Sequence, residues 1–214
     1  VCSSDLNQEI ETLNRPFIWN ALQIPRMNEW VDKIADENLR TQVKETLSKF
    51  ESITLPQLKE LPHQLIHNDA NDWNIVTTES GPSLIDFGDI IFAPRIIGLA
   101  VAAAYIALES DDPTLSTTHL IRGYHMIAPL TPGELELLFD CITIRIASSI
   151  ANAALQLSQN PENNYLSISQ DRTPATLAKL LATDSNYALY RFRNAAGYDA
   201  NRSEEHTSEL QSHS

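Results

Sequence analysis

The segment His67–Gly88 concentrates side chains that could transfer a phosphoryl group. It reads HNDANDWN up to Asn74 and continues with IDFGD from Ile85. Phosphoryl transfer requires a carboxylate that orients the attacking hydroxyl and accepts its proton, and oxygen ligands that hold Mg²⁺ against the phosphates. Asp69 is the candidate catalytic base, and Asn74 and Asp86 are the candidate cofactor and Mg²⁺ ligands.

The spacing of these residues makes the assignment specific. In kinase catalytic loops an Asp lies two residues after a His, an Asn lies five residues after the Asp, and Asp-Phe-Gly follows. Asp69 and Asn74 stand at those positions relative to His67, and Asp86–Gly88 supplies the last element. The spacing of His, Asp and Asn alone arises by chance in roughly a few per cent of chains of this length. Requiring Asp-Phe-Gly shortly afterwards lowers this chance by about two to three orders of magnitude.

The neighbouring polar residues are expected to support this site. We expect His67 to tie loop backbone together and Gly88 to shape the metal loop. Asp89 either caps the following turn or adds to the acidic field around the metal, and the sequence does not separate these roles. Asp72 is a weak candidate for a substrate contact, because a solvated or capping carboxylate explains it better. Trp73 is expected to be a packing residue rather than a nucleotide stacker.

A β-hairpin is predicted between the two halves of the motif. Ile75–Thr78 is β-branched, Glu79–Pro82 is typical of a four-residue turn, and Ser83–Ile85 would form the return strand. The hairpin folds the chain back so that Asn74 and Asp86 face one cation.

The remaining patterns are helical. Apolar residues at three- and four-residue spacing indicate a helix with one buried face: Leu39, Val43, Leu47 and Phe50. Asp36 is the predicted N-cap of this helix. Thr131–Glu134 is a predicted capping box whose helix runs to about Leu157, and Thr173 is the predicted cap of another helix. The predicted fold class is α+β and mainly helical, with a small β-hairpin that carries the metal site.

Composition excludes several kinds of partner. The net charge of −13 argues against nucleic acid, whose phosphates demand surplus Lys and Arg. No uninterrupted run approaches the ~20 apolar residues of a membrane span, and Ile96–Leu108 is expected to be a buried helix. With two cysteines and no pattern of a secretory signal, the sequence favours a cytoplasmic protein.

The two ends differ in character from the rest. Residues 1–6, VCSSDL, and residues 202–214, RSEEHTSELQSHS, resemble translated sequencing-adapter oligonucleotides. We expect both to be foreign scars, the second one disordered, around a natural domain at 7–201 that extended further on both sides.

The motif residues resemble those of the aminoglycoside phosphotransferase and choline kinase superfamily, and most of all its hydroxylysine-kinase-like branch, which includes domains fused to class III aminotransferases. The resemblance rests on Asn68-Asp69, Asn71–Asn74 and Ile85–Asp89. It continues through Leu99–Tyr105, Pro129–Thr131, Arg145, Ala147 and Pro161–Ser169, and so covers most of Phe17–Gly197.

This resemblance implies the C-terminal lobe of a protein-kinase-like fold, with ATP or GTP as donor, Mg²⁺, and a small amino-alcohol or hydroxy-amino-acid acceptor such as hydroxylysine. Asp69 would be the catalytic base, and Asn74 and Asp86 the metal ligands. The six glycines form no phosphate-covering loop, and the roughly 60 residues before the motif are too few for an N-terminal lobe. We therefore expect the missing N-lobe of the same protein, and in some arrangements a fused aminotransferase, as partners, and little activity from the fragment alone.

Other interpretations remain open from the sequence. An acceptor carboxylate would need an arginine such as Arg145, although a structural ion pair within its apolar helix explains that residue equally well. A metal-dependent hydrolase could use His63, His67, Asp69 and Asp86, but would not explain Asn74. A catalytically silent pseudokinase or interaction module is the third alternative.

Overall fold

The structure is a computed structural model that describes residues 19–79, 81–160 and 172–199. Both expected adapter-derived ends, at 1–6 and 202–214, lie outside the described residues, as do Phe17 and the segment Pro161–Ser169.

The described residues contain eight α-helices and four short β-strands. The helices are α1 (Asn28–Val31), α2 (Glu37–Lys49), α3 (Leu55–Glu60), α4 (Arg95–Leu108), α5 (Pro113–Ile127), α6 (Pro132–Gln159), α7 (Arg172–Leu181) and α8 (Ser185–Ala195). The strands are β1 (His63–Ile66), β2 (Ile75–Thr78), β3 (Gly81–Leu84) and β4 (Ile91–Pro94). Short 3-10 segments span Ala21–Met27, Asp72–Asn74 and Phe87–Asp89, and a π-helical turn, Phe50–Thr54, joins α2 to α3. The expectation of a mainly helical α+β fold is confirmed.

Helix α6 is the centre of the core. Its capping box is confirmed, because Thr131 Oγ1 accepts from the Glu134 backbone N–H while Glu134 Oε2 accepts from the Thr131 N–H at 2.8 Å. The helix continues to Gln159, slightly beyond the predicted end. Its apolar residues are buried around most of its circumference, and it packs against α2, α4, α7 and α8. By length and hydropathy α6 also qualifies as a membrane span, but 72% of the qualifying window is buried, and a core helix passes the same test.

Helix α4 confirms the buried helix predicted for the apolar run. Its alanines allow close packing on α6, and its first residue is bound to the start of that helix. Arg95 Nε donates to Glu134 Oε1 at 2.6 Å and Arg95 Nη2 to Glu134 Oε2 at 2.8 Å. Near the same end, Gly98 lies against Ile66 of β1, where a Cβ at position 98 would be 3.5 Å from the Ile66 Cβ. Through this contact β1, the strand before the motif, packs against α4.

The predicted hairpin exists, but its turn is shorter than expected. β2 and β3 are antiparallel, and Thr78 pairs with Gly81, so Gly81 and Pro82 belong to the return strand rather than to the turn. Gly81 has φ +113°, which glycine tolerates, and Pro82 fits because each strand of a two-stranded sheet has an open edge.

A second sheet was not predicted at all. β1 pairs with β4, with His63 opposite Pro94 and Ile66 opposite Ile91. The two strands enclose the whole motif, so the catalytic segment is a loop closed at its base by backbone hydrogen bonds.

The helix starts were predicted with mixed success. Asp36 caps α2 as expected, since its Oδ1 accepts from the Leu39 N–H at 2.7 Å. The prediction for Thr173 is wrong, because α7 already includes Arg172 and Thr173 is buried inside the helix.

Candidate active site

The catalytic loop leaves β1 through a residue in a left-handed conformation. Asn68 has φ +63° and is buried, and its Nδ2 donates to the Trp19 carbonyl at 3.3 Å. Asparagine is among the few non-glycine residues that adopt this conformation readily. The turn redirects the chain so that Asp69 faces inward, toward the helices.

The Asp69 carboxylate is held by donors on both of its oxygens. Oδ2 accepts from Asn71 Nδ2 at 3.0 Å and from Asn74 Nδ2 at 2.9 Å. Oδ1 accepts from the Tyr105 hydroxyl at 3.0 Å and lies 3.6 Å from Arg145 Nη2. The candidate base is therefore anchored by its own loop on one side and by α4 and α6 on the other.

Asn74 is oriented by the same network. Its side-chain nitrogen also donates to the Asp69 carbonyl at 2.9 Å, and its backbone N–H donates to Asn71 Oδ1 at 3.0 Å. Because the amide nitrogen faces Asp69, the amide oxygen faces the opposite way. That oxygen is a hard donor of the kind Mg²⁺ prefers.

Asp86 is brought to Asn74 through its neighbour in sequence. The Ile85 backbone N–H donates to the Asn74 carbonyl at 3.0 Å, which continues the hairpin pairing up to the residue before Asp86. Asp86 has φ +61°, is exposed, and accepts from the Gly88 N–H at 3.3 Å. A Cβ on Gly88 would lie 3.3 Å from Asp86 Oδ1, so a side chain at this position would crowd the Asp86 carboxylate.

His67 connects the two halves of the motif. Its Nε2 lies 2.9 Å from the Ile85 carbonyl, and its Nδ1 accepts from the Asp69 N–H at 3.4 Å. The hydrogen-bond network thus assigns a neutral ring with the proton on Nε2. The ring also meets Phe87 edge-on, with centroids 5.0 Å apart. Both ring nitrogens engage the backbone of the site.

The remaining candidates lie at the rim. Asp72 is exposed at the start of its 3-10 turn, and Asp89 is half-buried at the end of the other 3-10 turn. The expectation for Trp73 is wrong, because its side chain is 85% exposed and cannot serve as a packing residue. Instead it borders a cavity of about 780 Å³ that Trp19 and Tyr105 also line.

The geometry does not favour the hydrolase alternative. Within 19–79, 81–160 and 172–199 there is no group of three or more His, Cys, Asp or Glu side chains that could hold a metal. His63 Nδ1 lies 2.8 Å from the Leu61 carbonyl, and His67 is engaged as described. The amide and carboxylate oxygens of Asn74 and Asp86 fit a hard cation such as Mg²⁺ better than Zn²⁺, which favours nitrogen and sulfur ligands.

Two residues of the site were missed in the sequence. Tyr105 lies within the apolar stretch of α4, and its polar tip among apolar residues is the only local signal for a buried hydrogen bond. Burial, opposed by the Arg145 charge and aided by the Asp69 carboxylate, raises the pKa of Tyr105, so its hydroxyl remains a donor. Trp19 packs its ring on the Arg145 guanidinium at 4.2 Å, and no sequence pattern points to that contact.

Comparison with known proteins places this site in a family. The profile of the phosphotransferase enzyme family matches residues 7–134. Among curated proteins, hydroxylysine kinase of Xenopus laevis is 27% identical over 164 residues, which cover 71% of this chain and 44% of that protein. The Mus musculus hydroxylysine kinase is 25% identical over 186 residues, covering 78% of this chain and 50% of that protein. The Danio rerio hydroxylysine kinase is 28% identical over 171 residues, which cover 77% of this chain and 48% of that protein.

The chain spans about half the length of the curated relatives it matches. The resemblance seen in the motif residues is confirmed, including the relationship to hydroxylysine kinases. With the profile aligned over more than half of its residues, through the loop that holds Asp69 and Asn74, this chain belongs to the phosphotransferase enzyme family.

Proposed function

We propose that the chain carries the catalytic loop of an ATP-dependent small-molecule kinase, which transfers the γ-phosphoryl group to a hydroxyl of an amino alcohol or hydroxy amino acid. One observation supports the proposal: Asp69 and Asn74 share a hydrogen bond of 2.9 Å, and the backbone of Asn74 is paired with that of Ile85, the residue before Asp86. The names of the matched relatives make hydroxylysine the first acceptor to test.

Asp69 is the group that would accept the proton of the attacking hydroxyl. Its Oδ2 is fully engaged by the two asparagine amides, whereas Oδ1 has one close donor, Tyr105, and the longer Arg145 contact. A carboxylate oxygen can accept two good hydrogen bonds. The acceptor hydroxyl would therefore approach Oδ1, the oxygen on the side of the Tyr105 hydroxyl.

The acceptor would occupy the cavity beside that oxygen. Its volume of about 780 Å³ lies within the range of small-molecule sites, and its walls combine aromatic faces with amide and hydroxyl groups. Tyr105 both lines the cavity and contacts Asp69, so a molecule seated there would have its hydroxyl near the base.

Asn74 and Asp86 would hold the metal. A Mg²⁺ ion held there with the nucleotide would neutralise part of the phosphate charge. The chain prepares the site by turning the Asn74 amide with its hydrogen bonds to Asp69 and by fixing the Asp86 backbone in its left-handed conformation.

The elements that cover the nucleotide are proposed to lie in a further lobe. The six glycines of the sequence form no phosphate-covering loop, and the matched relatives are about twice as long as the matched region. We propose that residues 7–201 correspond to the C-terminal lobe and that the lobe bearing a nucleotide loop and its lysine completes the enzyme.

Calorimetric titration with Mg²⁺-ATP tests the proposal. The full-length parent protein is compared with its Asp86→Asn variant and with Asp111→Asn, which alters an exposed carboxylate outside the motif, 3.5 Å from Lys179. The proposal expects binding that Asp86→Asn weakens at least ten-fold and Asp111→Asn leaves unchanged. Absence of Mg²⁺-dependent ATP binding by the parent protein would refute it and favour the silent-module alternative.

A further inference from the structure

Asp69 receives two contacts that its own loop does not provide. Asn71 and Asn74, which hold Oδ2, belong to the same short loop and move with it. Tyr105 and Arg145, which meet Oδ1, stand on α4 and α6, and these two helices pack on each other in the core. The position of the Asp69 carboxylate is therefore fixed relative to the packed helices α4 and α6.

Arg145 interacts with Asp69, Tyr105 and Trp19. Its side chain is only 12% exposed, and one face of the guanidinium is covered by the Trp19 ring at 4.2 Å. A buried guanidinium needs a charged or hydrogen-bonding partner, because its desolvation is otherwise unfavourable. Asp69 is the charged partner, at 3.6 Å, and the Tyr105 hydroxyl also interacts with the guanidinium, while the buried Nη1 has no hydrogen-bond partner among the described residues.

Tyr105 supplies the closer of the two contacts. Its hydroxyl donates to Oδ1 at 3.0 Å, and its ring is fixed within a helix whose neighbouring residues are buried. A carboxylate with donors on one oxygen can still rotate about the bond to its Cβ. Donors on both oxygens, mounted on different elements, block that rotation.

We propose that Tyr105 and Arg145 are positioning residues for the reaction, acting through Asp69 rather than on a substrate; this inference rests on the proposed kinase function. Catalytic groups must be held within a fraction of an ångström of the productive geometry, and supporting residues on helices achieve this better than loops do. Arg145 accordingly positions the candidate base, Asp69, and does not bind a carboxylate of the acceptor.

Kinetic constants distinguish the two assignments. A residue that binds the acceptor raises the acceptor KM when it is removed, whereas a positioning residue lowers kcat and leaves KM nearly unchanged. Tyr105→Phe keeps the ring that lines the acceptor cavity and removes only the hydroxyl that is bonded to Asp69. In the full-length parent protein this variant is therefore expected to lower kcat about ten-fold with both KM values within two-fold. Arg145→Ala is expected to lower kcat about a hundred-fold, and Arg145→Lys to restore part of the loss.

Matched controls lie elsewhere in the same chain. Tyr124→Phe removes another partly buried phenol whose pKa is also raised, but which faces Arg95 rather than Asp69. Arg191→Lys alters an arginine that likewise combines an ion pair, with Asp112, and a ring contact, with Tyr187 at 4.6 Å. Both controls should leave kcat within two-fold. A change confined to acceptor KM in the Arg145 variants, or an unchanged kcat in Tyr105→Phe, would overturn the inference.

A double-mutant cycle tests the contact without any activity. Urea unfolding of this chain is measured for Tyr105→Phe, Asp69→Ala and the double variant, and we expect the effects on the unfolding equilibrium constant to be non-additive by five-fold or more. Additive effects would overturn the link between the two side chains, whatever the enzyme does. If Tyr105 and Asp69 are coupled in this cycle but the parent protein phosphorylates no alcohol, the contact stands. The proposed function and the kinetic role of the two residues would then be refuted.

Discussion

The ion pair between Arg95 and Glu134 should be the most sensitive polar contact for stability. The Glu134 residue is only 6% exposed, and its two oxygens accept from Arg95 at 2.6 and 2.8 Å and from the Thr131 N–H at 2.8 Å. Truncation to Glu134→Ala removes the partner of a largely buried cation, a change of about 3–5 kcal/mol, together with half of a capping box, about 1 kcal/mol. Because Arg95 keeps its bond to the Pro129 carbonyl and part of its exposure, we expect the total near the lower limit of this sum, about 4 kcal/mol.

The pH dependence has a definite sign. Burial alone would raise the pKa of Glu134, but the hydrogen bonds from Arg95 and Thr131 outweigh it, so the pKa lies below its ordinary value. A carboxyl group with a lowered pKa in the folded state stabilises the fold above its unfolded pKa, and this contribution is lost as the pH falls through the folded value. The wild type should therefore lose stability below about pH 4.5 more steeply than Glu134→Gln does.

Urea unfolding followed by circular dichroism, at pH 7 and at a series of acidic pH values, measures both effects. Glu60→Gln is the control, since Glu60 is an exposed carboxylate at the end of α3. It should change stability by less than about 0.5 kcal/mol. A loss below about 1 kcal/mol for Glu134→Ala, or parallel acid profiles for wild type and Glu134→Gln, would refute the reasoning.

Two further predictions concern the core and the site. Leu138 is fully buried on α6, so Leu138→Ala should lower the free energy of unfolding by about 2–5 kcal/mol in urea, and a loss under about 1 kcal/mol would contradict the central place of this helix. Tyr105, whose pKa burial raises, should ionise later than the ordinary phenols near pH 10 in a titration of tyrosinate absorbance. Tyr105→Phe should remove amplitude from that late phase, and loss from the early phase instead would contradict the buried hydrogen bond to Asp69.

Local signals in the sequence predicted the parts of the fold that local chemistry determines. The cap at Asp36 and the box at Thr131 and Glu134 depend on side chains within three residues of the backbone groups they bind. The hairpin was predicted from its β-branched strand and its turn residues. The predicted turn was two residues too long, because Gly81 and Pro82 belong to the return strand. The motif predicted which residues could do chemistry, because its spacing is itself a requirement of the reaction.

The parts that were missed depend on distant residues. The pairing of β1 with β4 joins segments on either side of the whole motif, and four-residue strands carry little pattern of their own. The support of Asp69 by Tyr105, 36 residues away, and by Arg145 can be recognised only when α4 and α6 are packed together. Trp73 was misjudged because large aromatic residues are usually buried, whereas this one borders a cavity.

The most direct test of the proposed kinase is the formation of a phosphorylated acceptor. The full-length parent protein is incubated with Mg²⁺-ATP and hydroxylysine, with ethanolamine and choline as further acceptors, and the product is identified by its mass. We predict ATP-dependent phosphorylation of one of these hydroxyls that falls at least a hundred-fold in Asp69→Asn and is unchanged in Asp111→Asn. Equal rates for wild type and Asp69→Asn would contradict the role of Asp69, and binding of Mg²⁺-ATP without any phosphorylated alcohol would contradict the proposed reaction.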